Sequence, residues 1–214
     1  MAAAEGGYRE RVGKSRLEAL SDGIFAFAMT LLVLSINLPQ VSEADAQALI
    51  PGMILKLHTQ FLLFVIAFFV LARYWLSHHR IMHQVTFVDD MLIRLNILFL
   101  FFIVLIPFTT SVSGDYTGVL AAVLLFHANL LVTSLILVAI GAYISKHSAD
   151  LAPERNYAEE GREHGVIISA IALLAIGVAF IDTYSSMWCY ALIPVVAFGI
   201  KYYTARWRTR KPHN

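Results

Sequence analysis

Polar and apolar positions in this chain are gathered into blocks and do not interleave. With Asp, Glu, Lys and Arg used as markers, six long fields contain none of them: 23–42, 57–72, 95–114, 116–145, 164–181 and 183–200. A helix that crosses a bilayer needs about 20 mostly apolar residues, and each field is close to that length. Strands of a membrane barrel would alternate, whereas these runs are continuous, which is the mark of spanning helices. The pattern predicts an all-α polytopic membrane protein with six spans, at about 15–38, 50–77, 91–111, 117–145, 164–181 and 185–204. A polar segment, 1–14, precedes this six-helix domain of 15–204, and a basic tail, 205–214, follows it. Six helices with short connections leave no segment long enough to bury a separate soluble core.

Composition narrows the class. With 58% hydrophobic and 14% charged residues, the 214-residue chain is not an ordinary soluble enzyme. A net charge of +1 gives no bias toward nucleic acid, so none is expected as a partner. Cys189 is the only cysteine and excludes an internal disulfide. The polar stretch before the first field is longer than a cleaved signal peptide normally carries, so the first span is expected to be retained. Fifteen of the sixteen Lys and Arg residues fall at the N-terminus, in alternate connections or in the tail, with Lys56 the exception. The positive-inside rule then predicts a multi-pass protein of the cell membrane with both termini cytoplasmic. The opposite connections hold Glu43, Asp45, Asp115 and Asp182.

The first span has the most informative polar residues. Ser15-Arg16-Leu17-Glu18 reads as a capping box just before an apolar run, which starts the helix near Ser15 and puts Asp22 inside it. Ser21 and Asp22 then need partners at the same depth. Candidates are Trp75, His78, His79 and Arg80 on the second span, and Arg94 and Asn96 on the third. The local alternative is that Ser21-Asp22-Gly23 is itself the cap. Further along, Gly23, Phe27, Thr30, Leu34 and Asn37 recur at spacings of four and three, so they share one face. That stripe suits either a helix-packing face or the lining of a pore.

Arg16-x-x-x-Leu20-Ser21-Asp22-Gly23, followed by IFAFAMTLLVLSINLP, resembles the Arg-x-x-x-Phe-Ser-Asp-Gly opening of the transmembrane protein 175 family of endosomal and lysosomal potassium channels, in particular its prokaryotic members. Tyr74-Trp75-x-x-His78-His79 and Arg94-Leu95-Asn96, leading to Pro107-Phe108, extend the similarity over about 16–110. The resemblance implies a potassium-permeable cation channel, a homotetramer of six-helix subunits whose first helices line the pore. Carried over by spacing from Asp22, the pore-facing positions are Phe27, Thr30, Leu31 and Leu34. Phe27 would make an apolar constriction, and a ring of Thr30 hydroxyls would replace part of the ion's hydration shell and favour potassium over sodium modestly. Leu20 stands where the family has Phe, and Phe27 where it has a smaller aliphatic residue. The resemblance also implies a hydrogen-bonded network of Arg16, Ser21 and Asp22, with His79 and Asn96 the preferred partners. No catalysis, cofactor or resident metal is expected beyond permeating potassium, and the bilayer and further copies of the chain are the partners.

Other polar groups carry less. His79 and His83 have the i, i+4 spacing of a zinc helix but lack its glutamate, and a membrane enzyme would rest on this cluster alone. His127 and Asn129, inside the fourth span, suit interhelical hydrogen bonds. A secondary transporter is the alternative function, but it typically has a buried acid near the midplane, and no apolar field contains Asp or Glu.

Overall fold

The computed structural model describes residues 13–38, 40–147, 151 and 158–193, with side chains from 165 onward in the last segment. Every regular element among them is helical: α1 (Lys14–Leu31) continued by a 3-10 turn (Leu32–Ser35), α2 (Glu43–Lys56), α3 (His58–His83), α4 (Asp90–Asp115), α5 (Leu120–Lys146), α6 (Ala158–Ala179) and the short α7 (Thr183–Trp188). Four of them, α1 with its 3-10 turn, α3, α4 and α5, are long and apolar enough to cross a membrane. Within α6 the apolar part, Gly165–Ala179, is shorter. The sixth expected span, 185–204, lies largely outside the described residues; its visible start is the end of α7 and a 3-10 turn, Cys189–Ala191.

Two expected boundaries change. The span expected over 50–77 is two helices that meet at Leu57, and the spanning one starts at His58. Residues 48–55 are apolar on every side of α2, so periodicity alone could not separate them from the next helix. In α1, the helix begins where the sequence places it, but Ser15 does not cap it. Gly13 is the N-cap and has no side-chain bond, while its carbonyl accepts from the Arg16 and Leu17 amides. Ser15 therefore lies in the first turn, and Glu18 pairs with Lys14 at 3.6 Å.

The spanning helices alternate in direction. Lys14 Nζ at the start of α1 donates to the His83 carbonyl at the end of α3, and Tyr143 near the end of α5 donates to Asp89, the N-cap of α4. At the other end Gln60 of α3 accepts from the Asn37 amide and donates to Asp115 of α4. Lys14, Arg16, Arg80, Arg94 and Lys146 consequently gather at one end, together with Glu18, Asp22, Asp89 and Asp90, while Glu43, Asp45, Lys56 and Asp115 lie toward the other.

α5 packs most closely, against α4 and α6, and α1 lies against α3 and α4. In lipid, apolar contact alone gives helices little reason to associate, so close approach and interhelical hydrogen bonds must supply it. Gly165 illustrates the first, since a Cβ there would come within 2.8 Å of Val138. Ser169 Oγ, which donates to Ser134 Oγ at 2.7 Å, illustrates the second.

The two faces of α1 as a candidate functional site

One face of α1 is built into the subunit. Leu17, Ser21, Phe25, Ala28 and Leu32 are buried, at spacings of three and four. The Phe25 ring sits 6.0 Å from the His78 ring and 5.9 Å from that of Phe99, and the last two stack nearly parallel at 5.2 Å. This aromatic group joins α1, α3 and α4.

A polar chain runs beside it. Ser21 Oγ donates to the Leu17 carbonyl at 2.8 Å and accepts from Asn96 Nδ2 at 3.1 Å. Asn96 Oδ1 lies 2.6 Å from His78 Nε2. A carbonyl oxygen can only accept, so His78 carries its proton on Nε2, and both ends of the Asn96 amide are used. Trp75 Nε1 donates to Asp22 Oδ1 at 2.9 Å, one residue along from Ser21. Ser21 is therefore a satisfied mid-helix group, which excludes the reading of Ser21-Asp22-Gly23 as a cap.

The expected partner His79 is not in this chain of bonds; His78 takes its place. Successive helical residues differ by about 100°, so when His78 faces α4 its neighbour faces away. His79 is exposed and stacks on Trp75 at 5.8 Å, and so stands behind the Asp22 contact. Arg16 is exposed, and among the described residues no hydrogen bond ties it to Ser21, Asp22 or Asn96. Asn96 was legible from the sequence because it is the only amide near the basic end of α4.

The opposite face of α1 is left open by the described helices, apart from the Asn37 amide that donates to Gln60. Gly23, Phe27, Thr30, Leu34 and Asn37 are all exposed, Phe27 and Leu34 each at 64%, while Leu31 at the edge is partly buried. A Cβ added at Gly23 would touch nothing within 4 Å. Thr30 Oγ1 donates to the Phe27 carbonyl at 2.8 Å, which leaves its lone pairs open on the exposed side.

Comparison with known proteins bears on this helix directly. The model of the family described as Endosomal/lysosomal potassium channel TMEM175 matches residues 16–107, which contain both faces of α1 and the whole of α3. Over those residues the chain is similar to the TMEM175 family. A potassium channel of Chamaesiphon minutus is 36% identical over 107 residues, 50% of this chain and 52% of that one. A potassium channel of Streptomyces collinus is 34% identical over 101 residues, 47% of this chain and 48% of that one. The chain thus spans about half the length of the curated relatives it matches. The crystal structure of a lysosomal potassium-selective channel TMEM175 homolog from Chamaesiphon minutus superposes with a TM-score of 0.74 at 24% identity, covering 86% of this chain and 96% of that one. The shared TMEM175 fold therefore extends beyond the segment matched by sequence.

Sequence reading missed one polar group, Asn37, Gln60 and Asp115, which links three helix ends and has no local signal because its members come from different helices. His127, expected in an interhelical hydrogen bond, bridges Tyr190 and Ser186, 2.9 Å from each, partners the sequence did not name. Among the described residues no group of three His, Cys, Asp or Glu side chains is placed to hold a metal ion.

Proposed function

We propose that the protein is a potassium-permeable cation channel of the cell membrane, formed by four copies whose α1 helices surround the conduction axis. The observation that carries this reading is the uncovered stripe of α1. A face turned to lipid gains most from continuous bulky apolar groups, yet this one interleaves Phe27 and Leu34 with Gly23, Thr30 and Asn37. The family model that matches over this helix, and the relatives named as potassium channels, support the same reading.

In this arrangement Phe27, Leu31 and Leu34 supply apolar rings and Thr30 a hydroxyl ring between them. An ion at the Phe27 ring must shed water with no replacement ligands, so that ring is the gate, and it closes by dewetting. At Thr30 the free lone pairs replace part of the hydration shell. Potassium holds its water less tightly than sodium, so the selectivity is for potassium and modest. Ser21, Asp22, Trp75, His78 and Asn96 serve as the rigid footing that fixes α1 in rotation. The domain is the six-helix unit 15–204, with both termini cytoplasmic.

The test is electrical. Purified protein in planar bilayers under a potassium–sodium gradient should pass a potassium-favouring current without a coupled ion, and Phe27→Ala should raise it several-fold. A saturating, coupled flux would instead indicate a transporter, and an unchanged current in Phe27→Ala would remove Phe27 as the constriction.

A further inference from the structure

Arg73 is the deepest cation in the four apolar spans of the described residues. It lies ten residues, about 15 Å of helix rise, from the end of α3 at His83. Its Nε is buried and has no hydrogen-bond partner, and no salt bridge reaches it among the described residues. An ionised side chain at such depth either has a partner or extends toward an interface, because leaving it alone in hydrocarbon costs several kcal/mol.

The surrounding positions show where that partner comes from. Val70, Leu71, Tyr74, Ser77 and His78 form the buried side of α3. Arg73 instead borders a strip with Phe69, 65% exposed, Leu76, 36% exposed, and Arg80, also exposed. These positions are separated by four, three and four residues, so the strip runs along one flank of the helix toward its basic end. Among the described residues the acid nearest this depth is Asp22 on α1, and Trp75 Nε1 holds its Oδ1. No apolar field holds an Asp or Glu.

We propose that Arg73 holds the headgroup phosphate of an anionic phospholipid, in the leaflet at the C-terminal end of α3, with an acyl chain along Phe69 and Leu76. A phosphodiester offers the several acceptor oxygens that a guanidinium fork requires. That end of the molecule carries Lys14, Arg16, Arg80, Arg94 and Lys146 against Glu18, Asp22, Asp89 and Asp90, so bases outnumber acids there among the described residues and favour a headgroup of net negative charge over a zwitterionic one.

Lipid retention measures this directly. The full chain is placed in nanodiscs with equal phosphatidylglycerol and phosphatidylcholine, and the lipids that stay bound after extraction are counted by native mass spectrometry. Wild type should retain phosphatidylglycerol preferentially; Arg73→Gln should lower that retention about tenfold, as expected for losing a charge-assisted contact, and Arg73→Lys only in part. Equal retention of the two lipids by wild type overturns the site, and this arm needs no variant to fold. Unchanged phosphatidylglycerol retention in Arg73→Gln overturns it as well, and so does loss of oligomer with the preference intact, which makes Arg73 a contact between copies.

Discussion

Phe25 and Phe27 are two residues apart on the same helix and meet opposite surroundings. Phe25 is 1% exposed among rings of α3 and α4, whereas Phe27 is 64% exposed and touches no other part of the fold's core. The hydroxyls divide in the same way: Ser21 links α1 to Asn96, and Thr30 bonds only its own helix. Both faces combine an aromatic ring, a small residue and a hydroxyl, so composition does not distinguish them. What differs is whether another helix of the same chain supplies a partner.

The sharpest way to break this comparison is to truncate both rings. Phe25→Ala should cost about 3–5 kcal/mol, the range for emptying a filled aromatic site, and lower the thermal midpoint in detergent by many degrees. Phe27→Ala should leave the stability of the isolated subunit within about 0.5 kcal/mol, as expected at an exposed position. If both variants lose stability equally in dispersed subunits, the outer face is packed and the distinction fails.

How much of this was readable beforehand follows from the nature of each signal. The start of α1 and the placement of Asp22 inside it came from reading Ser15 and Glu18 as a capping box; the start holds although Gly13, not Ser15, is the N-cap. The shared face of Gly23, Phe27 and Thr30 was legible because helical spacing fixes it, while Leu34 lies in the 3-10 turn and Asn37 beyond it, and both are exposed as well. Which face is covered was not, since that depends on α3 and α4. The choice of His79 over His78 failed for the same reason: the two are adjacent in sequence and about 100° apart in space, and only the position of Asn96 decides between them. The break at Leu57 was marked by Lys56, where the 57–72 field opens, but the apolar residues 50–55 before it were joined to the span because they have no period of their own.

The second largest effect should come from Asn96. It joins Ser21 to His78 with both ends of its amide, so Asn96→Ala leaves buried polar groups without partners and should cost about 1–3 kcal/mol. Asn96→Asp retains the acceptor for His78 but replaces the Nδ2 donor by a carboxylate oxygen. Ser21 can then bond the carboxylate only by giving up the Leu17 carbonyl. Chemical denaturation of the pair, with Ser21→Ala as the common background, should show coupling between positions 21 and 96. Additive effects would mean that the observed contact contributes nothing to the covered face.

A smaller loss is expected at Trp75. Trp75→Phe keeps a ring to stack on His79 while removing the single donor to Asp22, and should cost about 1 kcal/mol, within the range for one interhelical hydrogen bond in a membrane protein. The carboxylate is exposed, so the deficit should shrink in high salt if charge is the main component and persist if the fixed ring geometry is.

The smallest expected change is also the most specific to the uncovered face. Thr30→Ala removes a hydroxyl whose proton is given to Phe27 within the same turn, so stability should move by no more than about 0.5 kcal/mol. If the open lone pairs help to dehydrate ions, the potassium-to-sodium permeability ratio should fall a few-fold while total current persists. Thr30→Ser keeps the hydroxyl and loses a methyl group, and should retain the ratio. Thr30→Val keeps the shape and loses the oxygen, and should behave as Thr30→Ala does. A ratio that followed side-chain volume across the three would assign Thr30 a steric part in the apolar rings. One that followed the oxygen would make Thr30 the polar position on an otherwise dewetting surface, the counterpart on the open face of what Ser21 does on the closed one.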